Sequence, residues 1–270
     1  NGKTIYTNPA PSVGGTLITF TLQLLERADR ASSKDLKDPV RAMEITAAAR
    51  KAASSDPNDN YQISKLLDEK TLKHYLDQYQ SQQSVREIDS DPPSRGATTQ
   101  VSIIDKAGNA ASVTTTNGEG CGYILPGTGI MLNNMLGEED LNPLGFHKWS
   151  HPMRLPTMMS PTIIMKNKQP YILLGSGGSN RIRSAIVLVI LNCMIKGEGL
   201  EKAILSPRVH LEGNRLYYEP GLSINENDVP DHFSLHPFEE KNLFFGGVNA
   251  VTLTEGASDI RRGGTFEIVD

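Results

Sequence analysis

The stretch TTQVSIIDKAGNAASVTTT, residues 98–116, decides the fold of this chain. In each half, apolar or β-branched residues alternate with small polar ones, and Lys106-Ala107-Gly108-Asn109 separates the halves. Alternation on both sides of a turn of this kind predicts an antiparallel β-hairpin that begins at Thr98. The preceding segment, Ser81–Ala97, is polar, contains Pro92-Pro93 and has few large apolar residues, so we expect an exposed linker.

Thr98 therefore begins a strand directly after an exposed segment. A threonine hydroxyl is a poor nucleophile unless a base lies beside it, and the threonine's own α-amino group becomes that base once the preceding peptide bond is cut. A purely structural strand residue is the commoner role for threonine, because threonine is abundant in strands. Position alone leaves both roles open for Thr98.

The remainder of the chain changes from helical to strand-rich at this hairpin. Helices are predicted over Thr16–Arg30, Asp38–Ala53 and Leu66–Gln80, and a further helix from Asn180 or Arg181 to about Ile195. Strands are predicted over Thr162–Lys166, Pro170–Gly175, Arg215–Glu219, Val248–Thr254 and Thr265–Val269. This order indicates an α+β or a layered α/β fold, with a helical region 1–97 and a strand-rich region 98–270.

Composition excludes several classes of function. The 270 residues carry a net charge of −4 and a predicted pI of about 5.9, without the basic excess of a nucleic-acid-binding protein. The longest apolar run, Ala185–Ile195, is too short to span a bilayer and predicts a buried helix, so we expect no membrane span in this chain. The sequence begins at Asn1 without an initiator methionine or a charged-then-apolar leader, so any signal peptide lies upstream or was never there.

Cysteine and histidine patterns give no metal or disulfide framework. Cys121 and Cys193 are too few and too far apart, and we expect two buried or free thiols. The six histidines lack paired ligand spacing, so no metal is expected.

The glycine-rich segment Gly175-Ser176-Gly177-Gly178-Ser179 lies between a predicted strand and a predicted helix. Unhindered backbone N–H groups at a helix N-terminus stabilise a tetrahedral oxyanion. A tight turn that needs positive φ is the alternative interpretation. The segment lacks the Lys-Ser/Thr pair of a phosphate-binding loop.

Residues 98–116 resemble the start of the γ-glutamyltranspeptidase small subunit, where the pattern TTHxSVVDxxGNAVSxTxT follows the autocleavage site. Tyr6–Gly15 resembles the PPPSSGG stretch late in the large subunit. Further blocks resemble the family and follow its order: PGTGIMLNN at 126–134, MSPT at 159–162, GSGGSNRI at 175–182 beside the family's GSPGGSRI, SPRVH at 206–210 and GASDIRRGG at 256–264.

This resemblance implies the four-layer αββα sandwich of the N-terminal-nucleophile hydrolases, with 1–97 and 98–270 in one interleaved domain. It implies cleavage between Ala97 and Thr98, after which Thr98 attacks a γ-glutamyl amide such as glutathione without a cofactor. Gly177 and Gly178 would hold the oxyanion, and Thr116 would hydrogen-bond the nucleophile. The acyl group would pass to water or an amino acid. The implied partner is the large subunit of the same precursor; family habit suggests a periplasmic or extracellular location, with a cytoplasmic one also open.

The departures from the family pattern fall in the expected substrate pocket. Asn117 matches, with a shift of one position, a family asparagine that binds the substrate. Thr157 and Met158 stand where the family has two serines that bind the substrate's carboxylate. Glu138 is left to bind the substrate's amino group, and Gln100 stands where the family has histidine. These changes keep a second reading open, the same chemistry on another amide as in cephalosporin acylases. A third reading is an unprocessed, inactive relative.

Overall fold

The structure is a computed structural model that describes residues 2–33, 36–53, 61–81, 97–138, 141–142, 145–148, 154–222, 224 and 229–269. Except at its two ends, the linker predicted over Ser81–Ala97 lies outside these residues.

The helices predicted in the first third are present. Helices in the described chain are α1 Val13–Arg27, α2 Lys37–Ala53, α3 Tyr61–Lys65, α4 Glu69–Ser81, α5 Arg181–Met194 and α6 Leu200–Leu205. Helix α1 begins earlier than predicted because Gly14 and Gly15 lie inside it and do not interrupt it. A Cβ atom on Gly14 would overlap the Met158 carbonyl oxygen, and one on Gly15 would overlap that of Asn8. Close packing therefore explains this glycine pair.

The strands form three sheets in the described chain. An antiparallel sheet has the order β1-β4-β5-β9-β10, the hairpin β2-β3 stands separately, and β6-β7-β8 form the third sheet. The strands are β1 Lys3–Tyr6, β2 Thr98–Ile104, β3 Ala110–Thr116, β4 Thr162–Lys166, β5 Gln169–Gly177, β6 Val209–Glu212, β7 Arg215–Tyr218, β8 Ser234–Pro237, β9 Gly247–Val251 and β10 Gly256–Ala257.

The five-stranded sheet lies between helices and the hairpin. Helices α1 and α5 pack together, and the main hydrophobic core joins them to β4, β5 and β9. The hairpin packs on the opposite face, against β5 and β9. Strand β1, from the start of the chain, pairs with β4. The described elements thus form helix, sheet and sheet layers, which confirms a fold of mixed helices and sheets.

One predicted strand is wrong. Residues 264–269 form no regular secondary structure. The Phe266 ring lies over Gly256, where a Cβ atom would come within 2.7 Å of it, but Phe266 and Ile268 remain 50 and 63% exposed, so the apolar alternation here does not mark a buried strand face. Strand β9 also ends before the predicted Thr254, because the Thr252 N–H donates to the Glu255 carbonyl at 2.8 Å and turns the chain. The short strand β1 was not predicted from the sequence.

Candidate active site

The hairpin brings Thr98 and Thr116 together. Its register pairs the two residues directly, so both side chains lie on the face that packs against β5. Their hydroxyl oxygens are 2.9 Å apart, and Thr98 is half-buried. The Gly118 N–H donates to the Thr116 hydroxyl at 2.9 Å. A threonine that begins a strand is thus placed against a second threonine whose oxygen is fixed by the backbone.

Glycines on β5 make room for this face of the hairpin. A Cβ atom on Gly177 would lie 3.2 Å from the Thr98 carbonyl carbon, 3.4 Å from its Cβ, and would overlap its carbonyl oxygen. One on Gly175 would overlap the side-chain amide of Gln100. Because strand residues alternate between faces, glycine at both positions lets the hairpin approach the sheet closely. Gly177 of β5 therefore lies directly against the Thr98 backbone of β2.

The turn that follows has the backbone conformation of a glycine pair. Gly178 has φ +128° and Ser179 has φ +52°. When the ends of GSGGSNRI are aligned with those of GSPGGSRI, the family's two glycines fall on Gly178 and Ser179. The sequence assignment named Gly177 and Gly178, and it did not consider Ser179, because a serine gives no signal of a positive φ. The unchanged spacing between Gly175 and Arg181 was the signal that could have identified it.

Gly118, Asn134 and Glu138 form the rim beside Thr116. The Asn134 side-chain carbonyl accepts from the Glu119 N–H at 2.7 Å, and the Asn134 N–H donates to the Asn117 carbonyl at 3.1 Å. A Cβ atom on Gly118 would lie 2.6 Å from the Glu138 carboxylate and would overlap the Asn134 side chain. The structure therefore brings Glu138 and the exposed Asn117 to the Thr98 end of the hairpin. Sequence reasoning gave no role to Gly118 or to Asn134.

Thr157 and Met158 lie at the start of α1. The Thr157 carbonyl accepts from the N–H groups of Val13 and Gly14 at 3.0 and 3.1 Å, and its hydroxyl accepts from the Met159 N–H at 3.1 Å. The Met158 side chain belongs to the main hydrophobic core and is 4% exposed. The Met158 side chain therefore fills the core beside α1.

A buried ionic network joins two motif segments behind the turn. Arg261 donates to Glu219 through Nε at 2.6 Å, and Arg208 lies 2.6 Å from Asp259. Burial raises the pKa of the Asp259 carboxyl, but Arg208 and Arg261 outweigh this and hold the pKa below its ordinary value. Arg208 also donates to the Phe245 carbonyl at 3.0 Å. This fixes the segment next to Gly246, whose Cα atom would be 2.9 Å from a Cβ on Gly178.

The other candidate groups do not join this constellation. Cys121 is exposed and Cys193 is half-buried, and both are free thiols; burial raises the pKa of Cys193 to about 11. His210 is buried, and desolvation together with Arg181 and Arg183 lowers its pKa well below the ordinary value. In the described part of the chain, no cluster of three His, Cys, Asp or Glu side chains could hold a metal ion. None of the described helices has the length and apolarity needed to cross a bilayer.

Comparisons with known proteins point in one direction. A family model described as Gamma-glutamyltranspeptidase matches residues 1–269. The glutathione hydrolase proenzyme of Bacillus subtilis subsp. natto is 29% identical over an alignment of 249 positions that covers 82% of this chain and 42% of that protein. The acylase ACY 1 proenzyme of Pseudomonas sp. (strain SE83) is 30% identical over an alignment of 234 positions that covers 82% of this chain and 41% of that protein. The chain spans about half the length of the curated relatives it matches.

A solved structure agrees with these relatives. The gamma-glutamyltranspeptidase from Pseudomonas nitroreducens, complexed with L-DON, superposes with a TM-score of 0.55 at 27% identity. The superposition covers 64% of this chain and 100% of that one.

Proposed function

Because this chain belongs to the gamma-glutamyltranspeptidase family, we propose that it is the catalytic part of an amidohydrolase that cuts itself between Ala97 and Thr98. The observation that carries the proposal is the 2.9 Å contact between the Thr98 and Thr116 hydroxyls at the start of β2. The cut gives Thr98 a free α-amino group, which removes the proton from its own hydroxyl. The family resemblance of residues 98–116 supports the same nucleophile.

The extent of the solved relative supports this position for the cut. Residues 98–270 are 173 of 270, or 64% of the chain. That share equals the share covered by the whole of the matched Pseudomonas nitroreducens chain. The agreement is expected if that chain begins where Thr98 lies.

In the proposed reaction, the Thr98 Oγ attacks the carbonyl carbon of a γ-glutamyl amide such as glutathione. The C–N bond breaks, the amine leaves with the proton, and an ester on Thr98 passes the acyl group to water or an amino acid. We assign the oxyanion to the backbone N–H groups of Gly178 and Ser179, while Gly177 gives Thr98 its close contact with β5. One donor of this kind contributes about 100- to 1000-fold to kcat.

Substrate recognition is assigned to the rim of the site. Glu138 beside Gly118 supplies a carboxylate for the substrate's α-amino group, and Asn117 and Thr157 supply polar groups. The Met158 side chain contributes packing of the core and makes no contact with substrate. No metal or organic cofactor takes part in this reaction scheme.

Two other functions share this chemistry or this fold. The acylase relative and the loss of a serine at Met158 favour the second candidate, the same Thr98 chemistry on a different acyl amide. The third is an unprocessed, inactive relative, in which the bond before Thr98 stays intact.

The proposed partner is the remaining, upstream part of the same precursor, the large subunit. The outer face of the hairpin exposes Val101, Ile103 and Val113 to 48, 61 and 56%. Helices from that part would cover these side chains and complete the four-layer αββα sandwich. The pairing of β1 with β4 supports one interleaved domain for regions 1–97 and 98–270.

A matched pair of substrates tests the proposed function. The γ-glutamyl and glutaryl anilides differ only in the α-amino group. The ratio of their hydrolysis rates therefore measures recognition of this group, which we assign to Glu138. With the cleaved, complete gene product, we expect γ-glutamyl anilide to react about 100-fold faster or more, because a site built for a polar group rejects an analogue without it. Initial rates on both anilides, with Thr98→Ala as the blank, give the comparison. Faster glutaryl turnover would favour the acylase candidate instead, and no turnover of either anilide would refute a γ-glutamyl substrate.

A further inference from the structure

Asn180 follows the turn formed by Gly178 and Ser179 and directly precedes α5. An asparagine at this position usually accepts a hydrogen bond from an N–H group of the first helical turn. In the described chain, the Asn180 side chain caps none of the α5 N–H groups. It is 6% exposed and bonds to a residue of strand β6 instead. The side chain therefore serves a purpose other than helix capping.

The Asn180 amide lies between a cation and an anion. Its oxygen accepts from the Arg181 Nη1 at 2.8 Å, and its nitrogen donates to the Glu212 carboxylate on β6. Arginine only donates hydrogen bonds and an ionised carboxylate only accepts them, so the orientation of the amide is fixed. Arg181 is 2% exposed and the Glu212 side chain 11%. Because both charged groups are buried, water weakens these bonds little.

A second contact joins the same two elements one helical turn further along α5. The Ser184 Oγ and the His210 Nδ1 of β6 are 2.8 Å apart. Four residues of an α-helix rise about 6 Å, and two residues of a strand rise about 6.6 Å. The four-residue step from Asn180 to Ser184 thus matches the two-residue step on β6. Two matched contacts hold the start of α5 against this strand.

The turn before Asn180 has a backbone conformation that needs support. Gly178 has φ +128° and Ser179 has φ +52°. The second value is unfavourable for a serine, because its Cβ atom crowds the backbone there. Such conformations persist where the surrounding structure holds them. Since Asn180 is the next residue, its bond to β6 holds the chain directly after the unfavourable position.

We propose that Glu212 is a positioning residue for the oxyanion donors and that it acts through Asn180. The bond to Asn180 keeps the N–H groups of Gly178 and Ser179 where negative charge develops on the substrate. This inference rests on the proposed function, because it requires the oxyanion site assigned to this turn. Displaced donors would stabilise the transition state less, while the groups on the rim that bind the substrate would stay in place.

An exchange of the two polar groups tests the contact in the complete gene product. Asn180→Asp places a carboxylate against Glu212, and the repulsion should lower kcat/KM for γ-glutamyl anilide at least about tenfold. Glu212→Gln retains an acceptor oxygen for Asn180 and should lose about threefold or less. In the double variant Asn180→Asp/Glu212→Gln, the new amide donates to the new carboxylate. This bond has the reverse direction, and most of the lost activity should return.

A ligand without the reacting carbonyl separates the donors from the rest of the site. L-Norvaline has the α-amino group, the α-carboxylate and the carbon chain of glutamate, but no oxygen at the reacting carbon. Its inhibition constant should change by about threefold or less in Asn180→Asp, because the oxyanion donors act on the transition state. All rates are normalised to the amount of fragment that begins at Thr98.

Thr46→Val is the matched control for the loss of a buried hydrogen bond. The Thr46 hydroxyl is buried and lies 2.8 Å from that of Thr21, between α2 and α1. This variant should lower the urea midpoint and leave kcat/KM unchanged. If Asn180→Asp does not fold, Asn180→Ala replaces it, because alanine removes the same contact without adding a charge.

Three results would decide against parts of this account. Wild-type kcat/KM in Asn180→Asp or its alanine replacement, or a double variant as slow as Asn180→Asp, would overturn the role of Glu212. Equal losses of kcat/KM and of norvaline binding would also overturn it, because the whole site and not the donors would then have changed. Failure of the wild type to hydrolyse γ-glutamyl anilide would instead refute the proposed function itself.

Discussion

Gly177→Ala is expected to reduce both self-cleavage and kcat/KM by at least about 100-fold, because the added methyl group displaces the nucleophile. The new Cβ atom would overlap the Thr98 carbonyl oxygen and lie 3.2 Å from its carbonyl carbon. Both contacts are with backbone in packed strands, so β2 or β5 must shift. A displacement of about 1 Å at a reacting group is enough for a loss of this size. Intact mass and initial rates on γ-glutamyl anilide measure the two effects.

Ser179→Gly is the matched control for this substitution. It changes the same glycine-rich turn but removes a side chain from a residue with φ +52°, where glycine is favoured. Cleavage and turnover should therefore stay close to wild type. A Gly177→Ala protein with wild-type cleavage and turnover would contradict the close approach of β5 to Thr98.

Arg261→Met is expected to destabilise the protein by about 3–5 kcal/mol, because it leaves the buried Glu219 carboxylate without its cation and removes one of the two arginines beside Asp259. The Arg261 and Glu219 side chains are each 0% exposed and bonded to each other, and Arg261 lies 3.1 Å from Asp259. Methionine retains much of the volume but neutralises neither carboxylate. The midpoint of urea denaturation, compared at equal slope, measures the loss.

Arg27→Met provides the comparison on the surface. Arg27 also makes a two-point contact with a carboxylate, Glu69, but the two side chains are 35 and 78% exposed. Water and dissolved salt screen the attraction between two exposed charges. Removal of Arg27 should therefore lower the free energy of unfolding much less than Arg261→Met does. Equal losses in the two variants would show that burial does not govern the Arg261 network.

The elements that position Thr98 could be predicted from the sequence because their signals are local. Alternation around Lys106–Asn109 fixes the hairpin, and the hairpin register by itself places Thr116 opposite Thr98. Helix α5 was predicted from its apolar run, and residues 185–192 of that run are buried.

Features that depend on distant partners could not be predicted in this way. Thr265–Val269 alternates like a strand, yet Phe266 packs on Gly256 instead. The ionic pair between Arg261 and Glu219 joins residues 42 positions apart, and no local pattern identifies it. The Met158 side chain was read as part of a substrate pocket, because burial in the core depends on α1, which is far away in sequence.

The intact mass of the complete gene product, freshly purified and after prolonged incubation, tests self-cleavage at Thr98 most directly. Wild type and Thr98→Ala are compared in parallel. We predict two fragments from the wild type, the smaller of which begins at Thr98, and a single uncleaved chain from Thr98→Ala. A wild-type chain that stays whole, or a Thr98→Ala chain that is cut at the same bond, would contradict Thr98 as the nucleophile.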